Sequence, residues 1–489
     1  MDEKLKKNVV IIGAGPAGLT AAFELLKSSN FNVQILEKDS VVGGLSKTLE
    51  YKKCKFDIGP HHFITESEKI NKWWHDVMEE ERIYGNDFIQ LSRFTRIYYK
   101  NHLFHYPLQP LNVLRGLSIF ECIRCILSYL KIRMFPIKNV SSFQDWVTNR
   151  FGHRLFSIFF KTYTEKVWGI SCKEISADWA AQRIKRFSLS SAIFYAFFGR
   201  WFKKNVPRTL NDKFFYPSFG AGTLWNKVCR KIYQDYGGKI ALNQNVVRIK
   251  HKNFKIKSLL TYNSSDKAND ERNLTEHFGD YFLSSMPLKD LILRLDPLPG
   301  KMIVNAAKKL CYRALITVNL IVNKKNICPD HWLYIHEKEV MMGRIGNMNN
   351  FSMYMVDDDN HTGLSLEYFT YEHDVLWKMS DDKILEIGKA ELQKMGLVKS
   401  EDIIDGMILR EGYAYPVYDA NYQDHLRIIL DYLNNFSNLK LMGRNGLHQY
   451  NNMDLAMISA IQSVEDIIKN EELILSNQFV KNEKHDLVV

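Results

Sequence analysis

Three stretches of this chain carry residues whose types and spacing can do chemistry. Lys7 to Ile12 is a short, mostly apolar run, and Gly13-Ala-Gly15-Pro16-Ala17-Gly18 follows at once, opening a helical pattern at Leu19. A second strand pattern, Val33 to Leu36, ends on Glu37. Strand, glycine turn, helix, strand and acid is a layout that holds a dinucleotide. Gly13 permits the tight turn, Gly15 lets the backbone approach a pyrophosphate, and Gly18 lets helix and strand pack closely. The helix N-terminus offers unpaired N–H groups and a positive dipole end to the phosphates. Glu37, nineteen residues after Gly18, is placed to accept from ribose hydroxyls. Four hundred residues later Leu439 to Met442 reads as a strand that runs into Gly443-Arg444-Asn445-Gly446, and a fresh helix begins near Leu455. That is a second anion site. Between the two lies Lys161 to Gly169, with Tyr163, Lys166 and Trp168, followed by Arg183-Ile-Lys-Arg186. Cations neutralise phosphate, guanidinium groups bind it bidentately and aromatic faces stack on a base or sugar. The cluster suits a sugar diphosphate, and a solvated basic helix face is the equal alternative.

The elements that must position these groups follow in order. Lys38 leads to Gly43-Gly44-Leu45-Ser46, where the paired glycines allow another close backbone approach to a ligand. Gly59-Pro60-His61-His62-Phe63 makes a further turn. Residues 66–210 read as mostly helical and aromatic-rich, with Ile119 to Met134 at helical spacing. Phe187 to Lys204 reads as an aromatic helix ending in basic charge, either a core helix between lobes or one lying in a membrane interface. Lys239 to Ile249 reads as two short strands that include Val247, residues 262–277 as a polar hairpin tip, and Tyr281 to Met286 as a strand. From about 300 to 405 the pattern turns to alternation in Leu315 to Val322, Trp332 to Ile335, Met353 to Val356 and Leu364 to Phe369, so a second sheet is expected. Arg344 and Asn347 fall between two of these strands; Arg344 is a phosphate clamp or a plain surface arginine.

At 489 residues the chain is long enough for two or three lobes. A 46% apolar and 25% charged composition is that of a globular protein. Cys122 and Cys125, a lone C-x-x-C on a helical pattern, read as packing thiols in a reducing compartment rather than as a metal site; no metal is expected. A strand begins within ten residues, which leaves no room for a signal peptide, and no apolar run reaches eighteen residues. The net charge of +11 suits an anionic substrate or membrane surface; no nucleic-acid module is visible. The expected location is the cytoplasm, with peripheral contact to the inner membrane face through 187–204.

Glu37, Gly43-Gly44 and the Gly59-Pro60-His61 turn together resemble the flavoproteins of the glutathione-reductase-like superfamily, in which the second glycine segment runs along FAD towards the flavin. The whole span from about 5 to 470 resembles the FAD-dependent oxidoreductases of bacterial surface-polysaccharide clusters, within the amine oxidase and protoporphyrinogen oxidase superfamily. Several motifs look like UDP-galactopyranose mutase: Gly59 to Phe63, Tyr163-Thr-Glu-Lys166-Val-Trp168-Gly169, and Gly443-Arg444 with Tyr450-Asn-Asn452-Met453-Asp454. Here the arginines are spaced Arg183-x-x-Arg186 rather than Arg-x-x-x-Arg, so which one matches is open.

The fold class this implies is α/β, α+β overall. A glutathione-reductase-like Rossmann FAD domain is built from 1–65, 211–290 and 405–470, with a helical substrate domain at 66–210. A substrate domain with a second sheet follows at 291–404, and 471–489 is a tail. The activity implied is that of a flavoenzyme on a nucleotide-diphosphate sugar: a reduced flavin, kept so by a reductant such as NAD(P)H, attacks the anomeric carbon and displaces UDP. The protein then needs no nucleophile of its own. Arg183 or Arg186, with Arg344, would hold the diphosphate, Tyr415 and Tyr418 would donate to it, and His61 with His62 would flank the flavin. The alternative is an oxidase or desaturase that abstracts hydride from a hydrophobic substrate.

Overall fold

The computed structural model describes residues 6–80, 87–106, 108–177, 179, 213–265 and 274–485. Lys7–Ile12 is the middle strand of a five-stranded parallel sheet ordered Leu439–Leu441, Tyr281–Ser284, Lys7–Ile12, Phe31–Leu36, Lys239–Ala241. Its unbroken apolar run follows from burial on both faces. Val9 and Ile11 point to a layer of helices, Pro16–Lys27, Gly222–Gln234 and Met453–His485. Val10 and Ile12 point to the opposite core, shared with a four-stranded sheet and with helices Lys301–Lys309 and Tyr422–Leu433.

The second sheet has seven strands, ordered Ile403–Pro416, Tyr312–Val322, Thr362–Thr370, Arg344–Asn347, Trp332–Ile335, Thr95–Tyr99, His102–His105. One face packs on helix Asp381–Lys394. The other packs on a helical lobe made of Ile119–Met134, Phe143–Phe151, His153–Phe156 and Thr162–Trp168.

The structure redraws several expected boundaries. Residues 66–210 are not uniformly helical: Phe88–Ser92, Thr95–Tyr99 and His102–His105 are strands, and the last two form a hairpin that closes the second sheet because the aromatic and β-branched residues of Thr95–Tyr99 find a partner far away in sequence, Trp332–Ile335. Helix Glu68–Glu80 buries Ile70, Trp73, Trp74 and Met78 in the dinucleotide-domain core rather than in the helical lobe. Residues 291–310 also belong to the dinucleotide side, whereas Ile403–Pro416 belongs to the second sheet. Met353–Met355 is a short 3₁₀ turn, not a strand, capped by the Ser352 side chain. The last helix runs on to His485, past the expected tail boundary, and Glu471 accepts from the Tyr281 hydroxyl at 2.7 Å. Arg183, Arg186 and the 187–204 segment lie outside the described residues.

Cys122 and Cys125 are buried on Ile119–Met134, and burial pushes the Cys125 thiol up to about 11. Arg313 ties the helical lobe to the large sheet. It is buried, and it donates to the carbonyls of Val167 (2.9 Å), Lys166 (3.1 Å) and Phe369 (2.7 Å). Gly169 leaves the room it needs: a Cβ there would lie 2.3 Å from the guanidinium. Arg313→Met should lower the unfolding free energy by about 3 kcal/mol or more, since three carbonyls lose their donor at roughly 1–3 kcal/mol each. Urea denaturation of the two proteins side by side checks this, and equal midpoints would refute it.

Candidate functional site

One cavity of about 1540 Å³ runs from the glycine turn to the helical lobe. That exceeds the roughly 300–1,000 Å³ usual for one small ligand, so it has room for a dinucleotide and a second molecule. At the first end Gly13 donates to the Leu36 carbonyl at 2.8 Å in a left-handed conformation (φ 99°). A Cβ on Gly18 would come 1.8 Å from the Gly13 oxygen, so only glycine lets helix and turn meet. Helix Pro16–Lys27 starts with no side-chain cap, and Gly15, Pro16 and Ala17 face the cavity.

Glu37 lines the same end, and its carboxylate accepts from the backbone N–H of Ala14 (2.6 Å) and of Asp39 (2.9 Å). Burial pushes its pKa up, against the pull of those bonds. The Gly43 N–H donates to the Ala14 carbonyl, and a Cβ on Gly44 would lie 3.2 Å from the Gly15 Cα. The two glycine segments therefore touch. Lys38, Leu45 and Ser46 line the cavity beside them. Val247 is not among the lining residues: a register irregularity turns Val246 inward instead, with Gln244 and Asn245.

In the middle, Gly59, Pro60, His61 and His62 form one wall. His61 Nε2 sits 2.9 Å from the Leu45 carbonyl and 3.1 Å from that of Ile58, and burial pushes its pKa down. His62 stacks on Trp332. Gly443, Arg444, Asn452, Met453 and Asp454 form the facing wall, where helix Met453–His485 begins. Arg444 donates to the carbonyls of Asn451 (2.8 Å) and Ala414 (2.9 Å), and its guanidinium lies over the rings of Tyr415 and Tyr450.

Beyond them the cavity enters the large sheet. Arg344, at the start of its strand, pairs with Glu367 and donates to the Tyr415 hydroxyl at 3.0 Å. Burial opposes the Arg344 charge, but Glu367 together with Tyr415, Tyr163 and Tyr450 more than offsets it and holds the guanidinium protonated. Its Nε is buried with no hydrogen-bond partner among the described residues. Tyr163 stacks on His336, and Tyr415 on Tyr450 at 5.3 Å. Trp168 lines the cavity with Tyr418 stacked behind it.

Several expected contacts point elsewhere. Tyr418 accepts from the Tyr450 N–H at 2.6 Å and does not line the cavity. The Lys166 ammonium donates to the carbonyls of Ile335 (3.2 Å) and Met342 (3.0 Å), clamping helix to sheet. Asn347 turns the other way along its strand and donates to the Cys328 carbonyl at 3.1 Å. Glu367, Tyr334, His336 and Glu411 are site residues that sequence reasoning passed over. Glu367 carried a signal, as the one acid inside the apolar run Leu364 to Phe369.

Comparisons with known proteins agree with this layout. Residues 11–78 match the NAD(P)-binding Rossmann-like domain. A dTDP-fucopyranose mutase of Escherichia coli is 25% identical over 204 residues, 38% of this chain and 48% of the relative. A phytoene desaturase of Fusarium fujikuroi is 32% identical over 76 residues, 16% of this chain and 12% of the relative. The chain thus spans less than half the length of these relatives. Among solved structures, reduced UDP-galactopyranose mutase superposes with a TM-score of 0.77 at 20% identity, over 95% of this chain and 96% of that one. A protein from Exiguobacterium described as a protoporphyrinogen oxidase gives 0.70 at 15% identity, over 94% and 98%. The matched N-terminal stretch is a Rossmann-like, dinucleotide-binding domain. Over nearly the whole chain the fold is the one seen in UDP-galactopyranose mutase.

The Lys166 clamp has a pH signature. Burial pushes its ammonium down to about 8 from 10.5. Between those values the unfolded chain holds the proton and the native chain does not, so this lysine makes stability rise with pH. Relative to Lys166→Met, the wild type should gain stability from pH 8 to 10.5 in denaturant titrations. A constant difference across that window would refute it.

Proposed function

We propose that the chain is an FAD-dependent enzyme acting on a nucleotide-diphosphate sugar, a ring-contraction mutase or closely related reaction, in cell-surface polysaccharide synthesis. The observation that carries this reading is Arg344. It is a half-buried guanidinium at the cavity wall, fixed by Glu367 and Tyr415, with its buried Nε unspent and aromatic rings beside it. Such a group donates to a phosphate oxygen at little reorganisation cost. The Tyr163 and Tyr415 hydroxyls line the same wall and supply further donors, and Trp168 with Tyr450 supplies faces for a base or sugar.

The cleft fits FAD. At Gly15 the turn leaves open the space a Cβ would take, the nearest atom there being the Gly44 Cα at 3.8 Å, and Glu37 would take the ribose. The segment from Gly443 to Asp454 would close on the cofactor's other end, with His61 opposite. Bound FAD supplies electron-rich ring chemistry when reduced; a reductant such as NAD(P)H would keep it in that state. The chain's own part is to hold the sugar nucleotide's diphosphate with Arg344, to orient its sugar against the stacked tyrosines, and to keep His61 neutral beside the site. The partial match to a sugar-nucleotide mutase supports the reading.

A second reading rests on one observation: the far arm of the cavity is apolar, lined by Val113, Leu117, Cys125, Phe143 and Phe151 among others. That favours a hydrophobic substrate and hydride abstraction. The two are separable. The dithionite-reduced protein, incubated anaerobically with UDP- and dTDP-hexoses, should form a ring-size isomer that the oxidised protein does not. Arg344→Ala should weaken UDP binding by about 1.5–3 kcal/mol, the worth of a charge-assisted hydrogen bond. Sustained oxygen consumption on an apolar substrate, with no sugar-nucleotide binding, would overturn the reading.

A further inference from the structure

Helix Ile119–Met134 has two unlike sides. Its inner side places Cys122 and Cys125 in the lobe core and along the cavity. Its outer side is apolar as well, against the usual rule for a helix on a protein surface. Phe120 (76% exposed), Ile123 (47%), Leu127 (60%), Leu130 (49%) and Met134 (68%) recur every three or four residues and so form one stripe, which Phe135 prolongs. Around the helical circuit Arg124 and Lys131 border one edge of the stripe and Arg133 the other, and all three are exposed. Only one acid occurs between residues 110 and 140, Glu121, and it is bound to Arg154. Leu114 (49%) and Ile126 (58%) are both exposed and part of the cavity lining, so the apolar arm reaches the surface on this same face.

We infer that this face docks on an anionic phospholipid bilayer, with the apolar arm of the cavity opening into it. An apolar stripe between rows of basic side chains is the pattern of a helix that lies in the membrane interface, its apolar side sunk about 5–10 Å into the acyl boundary. The cations meet lipid phosphates at the level where the stripe enters the hydrocarbon. A second protein would be expected to supply acids opposite Arg124, Lys131 and Arg133. It would also close the cavity mouth, whereas a bilayer leaves the mouth in contact with the phase that carries apolar molecules. Among the described residues no helix is long and apolar enough to cross a membrane, so the contact is one of depth and not of spanning.

The test is vesicle sedimentation of the full-length, flavin-loaded protein. The vesicles are equimolar phosphatidylcholine and phosphatidylglycerol, or phosphatidylcholine alone. The wild type should pellet with the anionic vesicles. Phe120→Ser combined with Leu127→Ser and Met134→Ser should abolish pelleting while leaving the flavin spectrum and far-ultraviolet dichroism unchanged. Neutralising Arg124, Lys131 and Arg133 to Gln should weaken partitioning on the order of a hundredfold, each cation near an anionic surface contributing a factor of about five. The Gln variant leaves the apolar stripe intact, so it tests the idea even if the Ser variant fails to fold. Light scattering of the same proteins without lipid gives the mass. Failure of the wild type to bind either vesicle, or binding that neither variant weakens, overturns the proposal. So does a dimer abolished by the Ser variant with no lipid binding, which would make the face a contact between copies. None of these outcomes bears on whether the site turns over a sugar nucleotide.

Discussion

Everything at the substrate end depends on one carboxylate kept out of water. Glu367 sits within Thr362–Thr370, a strand buried along its whole length. An ionised carboxylate in such a place costs several kcal/mol unless a cation meets it directly. Arg344, on the neighbouring strand, is that cation. The pair then fixes its surroundings. The arginine reaches on to Tyr415, and the carboxylate stands against Gly59, where an added Cβ would lie 3.3 Å away. The Gly59 to His62 loop, two strands of the large sheet and the Tyr415–Tyr450 stack are thereby held to one geometry. A site that must hold its ligand to within fractions of an ångström gains from such rigidity.

A second polar tie joins the two halves of the molecule. Lys47 follows the paired glycines and is buried between Asp39 (2.9 Å) and Glu411 (2.6 Å). Burial pushes its pKa down, but the two carboxylates more than restore it. One carboxylate belongs to the dinucleotide domain and the other to the long strand Ile403–Pro416, so the lysine keeps the second sheet docked over the cofactor cleft. The cavity in between changes character along its length. It is lined by backbone amides and acids at the glycine turn, by histidine and arginine in the middle, and by aliphatic and aromatic carbon at the helical lobe.

The parts legible in the sequence are those governed by short-range rules. The glycine turn, its strand and its helix follow from local sterics, and Gly13 to Gly18 appear in the structure as spaced. Arg344 was findable as an arginine at a strand boundary, and Trp168 and Tyr163 as members of one motif. What stayed hidden depends on partners remote in sequence. The strand Thr95–Tyr99 reads as helix-compatible until Trp332–Ile335 is beside it. Lys166 reads as a phosphate ligand until the carbonyls of Ile335 and Met342 are seen to accept its hydrogen bonds. Tyr418 and Asn347 were misjudged by a face: Tyr418 lies just past the strand Ile403–Pro416 and Asn347 ends the strand Arg344–Asn347, but each side chain serves a neighbour and not the cavity. Direction along a strand or helix is set by packing, and packing is the part a one-dimensional reading sees least.

The middle strand of the parallel sheet, Lys7–Ile12, has a neighbour twenty residues away on one side and a neighbour near residue 280 on the other. The cleft it supports is closed by a helix that begins at Met453. During synthesis from the N-terminus, one edge of this apolar strand therefore stays unpaired until Tyr281–Ser284 exists, and the dinucleotide cradle is incomplete until the helix at Met453 has emerged. Non-local pairing of this kind is slow, and its intermediates expose strand edges that associate with one another. Closure of the dinucleotide cradle is therefore a late event of folding. Fragments that end short of the final helix contain the glycine fingerprint but lack the wall opposite it, so the fingerprint alone is a poor guide to which pieces of this protein hold a dinucleotide.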